Sequence, residues 1–356
     1  MKARKRLLTA LQVVVTLGIL WFVFRDEAKR AEMLATLRRA DRGWLLLGFA
    51  AYGVAEIFAG VRWLLLLRVQ QIHLGLVRLS ALLLIGVFFN FFIPGGTGGD
   101  VVKIFYLLKE TPGRRTAALL SVLMDRLVGL LALIVLAAVF IGLRWHWLTA
   151  TPATARAVWT TLAILGASLG GIAFSFLLSG LGLVHRLPER FPMRDRFAEF
   201  ALAYNLYGRA WRPTLGAFLA SFPVHLTYFA TFYCAAMSFG MNGVRIPSLA
   251  DLMAIMPVVN TIVSMPISLG GIGVREGLFQ IFLGQLCGVG EGVAVVISST
   301  GYLLTLFWGL IGGVIYLAYR PSEHARLREM REEVKKAEHT VAEEEIAIET
   351  AEKKQP

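Results

Sequence analysis

The sequence is short of the residues on which covalent stapling, metal binding and nucleophilic chemistry rely. Only 2 of its 356 residues are cysteine and 6 are histidine. Cys234 and Cys287 both lie in apolar segments, which argues against a disulfide framework. His73, His146, His185, His225, His324 and His339 show no metal-ligand spacing, so neither a metal nor another cofactor is expected. Charge is scarce at 17%, and acids are scarcer than bases, 24 against 36, for a net charge of +12. The bases gather in loops beside apolar runs, where they fix topology and meet anionic lipid, so the basic balance does not point to nucleic acid. No ATP-binding motif occurs. Gly271, Gly273 and Gly277 have the spacing of a nucleotide fingerprint but no strand beside them.

What the chain does have is apolar length: 56% of it is hydrophobic and its mean hydropathy is +0.64. Leu7 to Phe24, Trp44 to Leu67, Ala117 to Leu143, Val158 to Leu178, Leu215 to Phe239 and Val293 to Tyr319 can each cross about 30 Å of hydrocarbon as a helix. The first follows Lys2, Arg4, Lys5 and Arg6 without a small-residue cleavage site, and reads as a retained span. Two further apolar stretches, 80–108 and 249–288, are cut by proline and glycine. The expected fold is therefore an all-α integral membrane protein with six full transmembrane helices and two re-entrant helical hairpins, about eight spans by a simpler count.

The first cut is Asn90 to Lys103, NFFIPGGTGGDVVK. Pro94 ends one helix and Asp100 stands where the next begins. Irregular backbone is tolerated at membrane depth only when buried in protein or lining a watery cavity. The second cut repeats the spacing: Pro94, Gly98, Gly99 and Lys103 are matched by Pro266, Gly270, Gly271 and Arg275. A half-helix starting near Gly99 or Gly271 would aim free amides into a cavity with a cation about one turn in, the ingredients of a phosphate site. Tight helix packing is the alternative reading of each glycine pair. With the basic amino terminus in the cytoplasm, six crossings return the carboxyl terminus there. The arginine-rich loop from Ser179 to Pro213 is then inside, and the hairpins enter from opposite sides as an inverted repeat. The loop from Arg25 to Arg42 comes out external against the charge rule, unless it lies in the interface as an amphipathic helix.

Ionisable residues within spans mark function or mutual neutralisation. Asp125 and Arg126 lie within one span, Glu56 and Arg62 interrupt another, and Glu276 follows Arg275. Each of the first two pairs either neutralises itself or serves function. Arg126, with Lys103 and Arg275, would meet a headgroup phosphate. Asp100, Asp125 and Glu276 would meet an ammonium on the headgroup or hold the cations in place, and Glu56 with Arg62, Asp125 and Glu276 are candidates for coupling. His225 reads as a packed, hydrogen-bonded histidine, and Trp145 and Trp147 as an interfacial belt. Beyond residue 320 the composition turns to Glu, Lys, Arg and Ala. Leu327, Met330, Val334 and Val341 fall at loosely helical spacing there, giving a solvated cytoplasmic helix or a site for a partner protein or self-association.

Three motifs in order, NFFIPGGTGGDVVK, MDRLVGL at Met124 to Leu130 and PISLGGIGVREG at Pro266 to Gly277, resemble the lysylphosphatidylglycerol synthase transmembrane region, or flippase-like, family. The resemblance covers residues 7–320 and implies a multi-span bacterial inner-membrane protein that moves lipids or lipid-linked headgroups between leaflets. It places the site on Asn90, Pro94, Gly98, Gly99 and Asp100, on Asp125 and Arg126, and on Pro266, Gly270, Gly271, Gly273, Arg275 and Glu276. The soluble aminoacyl transferase domain of the bifunctional members has no counterpart in the 35 or so charged residues after Arg320. The expectation is thus a translocase rather than an enzyme, handling an anionic or zwitterionic phospholipid or a polyprenyl-phosphate-linked species. A membrane-embedded transferase and a scaffold acting through the tail are its rivals.

Overall fold

In hydrocarbon every backbone amide and carbonyl must find a partner without water, and a chain this apolar meets that demand with helices. The computed structural model describes residues 38, 40–92, 98–111, 114–180, 202–203, 205–240, 245–265, 268–318, 330, 332–334 and 336. Among these residues all regular structure is helical. Five helices are long and apolar enough to span: α1 (Arg42–Val69), α4 (Arg115–Leu143), α6 (Pro152–Gly180), α7 (Trp211–Met237) and α10 (Glu291–Ala318). They coincide with five of the six expected spans. The sixth, Leu7 to Phe24, lies outside the described residues, as do Pro94, Pro266, residues 25–37, most of the 179–213 loop and nearly all of the tail.

The other helices are shorter. α2 (Leu76–Phe92) and α3 (Gly98–Glu110) form one pair, and α8 (Leu249–Val263) and α9 (Val274–Cys287) the other; a single turn, α5 (Trp145–Leu148), links α4 to α6. At 1.5 Å per residue the paired helices measure about 20 to 26 Å, short of the hydrocarbon thickness. Each pair is embedded in its own apolar core. One core gathers Trp63, Phe105, Leu107, Leu120 and Tyr207; the other gathers Phe229, Phe232, Val259, Phe279 and Phe282.

The halves interlock. α1 packs along α7, α2 along α10, and α8 against α4. Glycines permit the closest of these approaches: a methyl on Gly312 of α10 would lie 1.9 Å from the Leu84 carbonyl oxygen of α2. Met330 and Val334, which the tail pattern places in a solvated helix, are instead buried in the first core. The same core includes Tyr207, whose hydroxyl donates to the Leu66 carbonyl of α1 at 3.2 Å.

Candidate functional site

At the first break Asn90 stands in the last turn of α2 and its Oδ1 accepts from the Gly99 amide at 2.9 Å, supplying one of the bonds that a helix start lacks. Gly98 and Gly99 lie inside α3 rather than ahead of it. A methyl on Gly99 would stand 2.0 Å from the Gly86 carbonyl oxygen, so this glycine lets α3 press on α2. Lys103 follows, but its chain crosses the Gly86 position and its Nζ lies 3.6 Å from Asp125 Oδ2 and 4.6 Å from the centre of the Trp63 ring. Its side chain is 9% exposed and does not line the cavity described below. The expectation of a cavity cation here is corrected: a buried ammonium sits where a carboxylate can meet it.

Asp100 and Asp125 hold cations from other helices rather than their neighbours in sequence. Asp125 takes Arg62 Nε at 2.7 Å as well as Lys103, and Arg126 makes two 2.8 Å bonds to Asp100. Neighbours on a helix point about 100° apart, so Asp125 and Arg126 serve different surroundings. The same holds for Glu56 and Arg62: Arg62 turns to Asp125, whereas Glu56 borders a separate, mainly apolar cavity of about 270 Å³ with Ser80, Leu83 and Trp308. His225 donates from Nε2 to the Gly129 carbonyl at 3.0 Å, the packing role expected of it.

The second break has the same spacing and a different structure. Gly270, Gly271 and Gly273 adopt φ of 59°, 77° and 85°, a left-handed elbow that side chains resist. The helix starts only at Val274, so Arg275 is its second residue rather than one turn in. Arg275 is 5% exposed. One of its amino groups donates to the Gly270 carbonyl at 3.2 Å, the guanidinium lies 4.4 Å from the centre of the Tyr302 ring, and Nη1 has no partner among the described residues. Glu276 faces its own backbone: Oε2 accepts from the Gly273 amide at 2.6 Å and Oε1 from the Ser298 hydroxyl at 3.2 Å. It fixes the elbow to α10 and does not line the cavity.

Both breaks border one cavity of about 280 Å³. α2 contributes Asn90 and Phe91, the second break contributes Ser264, Ser268, Gly270, Gly271 and Arg275, and α4 contributes Arg126, whose side chain is 53% exposed. Of the sequence candidates, Asn90, Arg126, Gly270, Gly271 and Arg275 therefore meet there, and Asp100 stands behind Arg126. Gly98, Gly99, Lys103, Asp125, Arg62, Gly273 and Glu276 support the walls. Pattern reading missed Tyr52, Tyr228 and Tyr302, which line the cavity from α1, α7 and α10, and Ser268, whose buried hydroxyl has no partner among the described residues. The tyrosines carried a signal, a hydroxyl within an apolar span, but nothing in sequence joined the three.

The chain matches the family described as the lysylphosphatidylglycerol synthase TM region over residues 9–313. It is similar to a UPF0104 membrane protein of the archaeon Pyrococcus horikoshii, 25% identical over 342 residues that cover 89% of this chain and 98% of that protein. It is likewise similar to a UPF0104 membrane protein of Methanothermobacter thermautotrophicus, at 24% identity over 344 residues, 88% of this chain and 93% of that one. Both relatives are named as membrane proteins. The chain belongs to the lysylphosphatidylglycerol synthase transmembrane-region family and is a multi-pass membrane protein.

Proposed function

We propose that this family member is a translocase, a flippase or scramblase that carries the phosphate-bearing headgroup of a lipid between leaflets through the cavity between the two helix breaks. The observation that carries the reading is Arg275, a buried cation on a cavity wall with one amino group unpaired and no carboxylate within ion-pair distance among the described residues. A buried charge is costly without an anion, and a headgroup phosphate entering the cavity would supply it. Arg126 faces the same space. Asp100 and Asp125 are committed to cations and Glu276 to an amide and a hydroxyl, which favours carriage over group transfer needing a free base.

On this reading the short pairs are re-entrant hairpins and the halves are an inverted repeat. α1 to α4 answer in order to α7 to α10, and exchanging the halves turns the α2 contact with α10 into the α8 contact with α4. Rocking one half against the other would open the cavity to each leaflet in turn. We place the protein in the cytoplasmic membrane with both termini inside. The test is leaflet exchange of labelled phospholipids in vesicles containing the purified full chain. Arg275→Ala orphans no carboxylate, and is expected to slow exchange at least tenfold while the protein still folds. Exchange at the wild-type rate by this variant overturns the assignment of the site.

A further inference from the structure

Among the described residues the cavity has no negative charge on its lining, and this bears on which headgroup it can hold. We propose that its ligand class is a singly charged phosphodiester with an uncharged, hydrogen-bonding substituent, as in phosphatidylglycerol, and that headgroups bearing an ammonium are disfavoured. The inference rests on the translocase reading for its lipid setting, and on the lining alone for its charge.

Among the described residues, each acid that could have met an ammonium is engaged elsewhere. Asp100 reaches the cavity only through Arg126, which it binds with both oxygens. Asp125 is enclosed between Arg62 and Lys103, and its side chain is 4% exposed. Glu276 is 4% exposed and bound to Gly273 and Ser298. Glu56 borders the other cavity and reaches this one only through its hydrogen bond with the Tyr52 side chain.

Aromatic faces are the remaining way to hold an ammonium. Tyr302 already has Arg275 over its ring, and Tyr52 and Tyr228 pack edge to face with centroids 6.1 Å apart. An ammonium beside them would also be repelled by two guanidiniums, so the aromatic attraction is opposed. For an anion the balance reverses. Asp100 offsets Arg126, which leaves about one uncompensated positive charge, Arg275, matched to the single charge of a phosphodiester. The Ser268 hydroxyl, without a partner among the described residues, and the Tyr228 side chain then face the uncharged remainder of the headgroup.

The experiment uses the full chain in vesicles with acyl-labelled phosphatidylglycerol, phosphatidylethanolamine and phosphatidylcholine, alongside binding of their short-chain forms to the detergent-solubilised protein. Phosphatidylglycerol is expected to move and bind at least tenfold better than either zwitterion. Equal movement of all three supports translocation and overturns the charge selectivity. No movement of any lipid, with tenfold tighter binding of phosphatidylglycerol, overturns translocation and leaves the selectivity standing. Soluble glycerophosphoglycerol carries the same headgroup without acyl chains; weaker binding than short-chain phosphatidylglycerol supports a lipid source, and equal binding overturns it. Met265→Glu adds a carboxylate at a lining position that is 39% exposed, where folding tolerates it. The variant is expected to lose preference for phosphatidylglycerol and gain phosphatidylethanolamine, and an unchanged preference overturns the inference.

Discussion

Asp125→Asn isolates the charge of the buried cluster from its shape. The carboxylate lies between Arg62 Nε at 2.7 Å and Lys103 Nζ at 3.6 Å, with the three side chains 4%, 13% and 9% exposed. The amide keeps an oxygen that still accepts from Arg62, so the steric change is slight. What changes is the sum of charge, from one uncompensated cation to two facing each other in a low-dielectric interior. Removing one partner of a buried ion pair costs about 3 to 5 kcal/mol, and the retained hydrogen bond places this variant near 3. The assay is unfolding of the detergent-solubilised protein by added denaturing detergent, followed by loss of helical signal. Lys103→Met in the Asp125→Asn background removes the second cation and is expected to recover at least half of the loss, the signature of coupled rather than independent sites. An Asp125→Asn protein within about 1 kcal/mol of wild type, or a double variant no better than the single, would refute the reasoning.

Two glycine substitutions probe the breaks separately. Gly99→Ala sets a methyl 2.0 Å from the Gly86 carbonyl oxygen, and because backbone rather than a flexible side chain must yield, the expected loss is about 1 to 3 kcal/mol in the same unfolding assay. Gly271→Ala places a side chain at φ 77° and 2.2 Å from Val263 Cγ1. It is expected to cost at least about 1 to 2 kcal/mol, with the elbow of Arg275 and the rate of leaflet exchange disturbed together.

The fold was legible where the signal was long. Five apolar runs from Trp44 to Tyr319 became five spanning helices within a few residues at their ends, because twenty or so apolar residues leave the backbone little choice in lipid. The interruption of the two shorter stretches was legible for the same reason, since proline and glycine act locally. The site was read less well because it depends on which way side chains turn after the chain has folded. Pro94 to Lys103 and Pro266 to Arg275 share their spacing, yet Gly98 and Gly99 lie within a helix whereas Gly270 and Gly271 precede one. Asp125 and Arg126 could have neutralised each other or served the site apart, and they have separate partners on α1 and α3. Tyr52, Tyr228 and Tyr302 sit on three helices far apart in the chain, and only their packing brings them to one wall.

That difference between the two breaks separates the spacing echo from its structural outcome. If spacing alone set the roles, Lys103 and Arg275 would be equivalent cations and their loss would have equivalent effects. The surroundings say otherwise. Lys103→Met leaves Asp125 paired with Arg62, so the cluster loses its one uncompensated cation and becomes neutral, and exchange should continue near the wild-type rate with a modest change in stability. Arg275→Met removes a buried cation that has no carboxylate partner among the described residues, so stability should hold or rise as its desolvation is relieved, while exchange falls. The paired outcome is what distinguishes a structural tie from a ligand contact, because a general disturbance of the fold would lower both quantities together. Loss of exchange by Lys103→Met at wild-type stability would instead restore the equivalence of the two breaks that their spacing suggests.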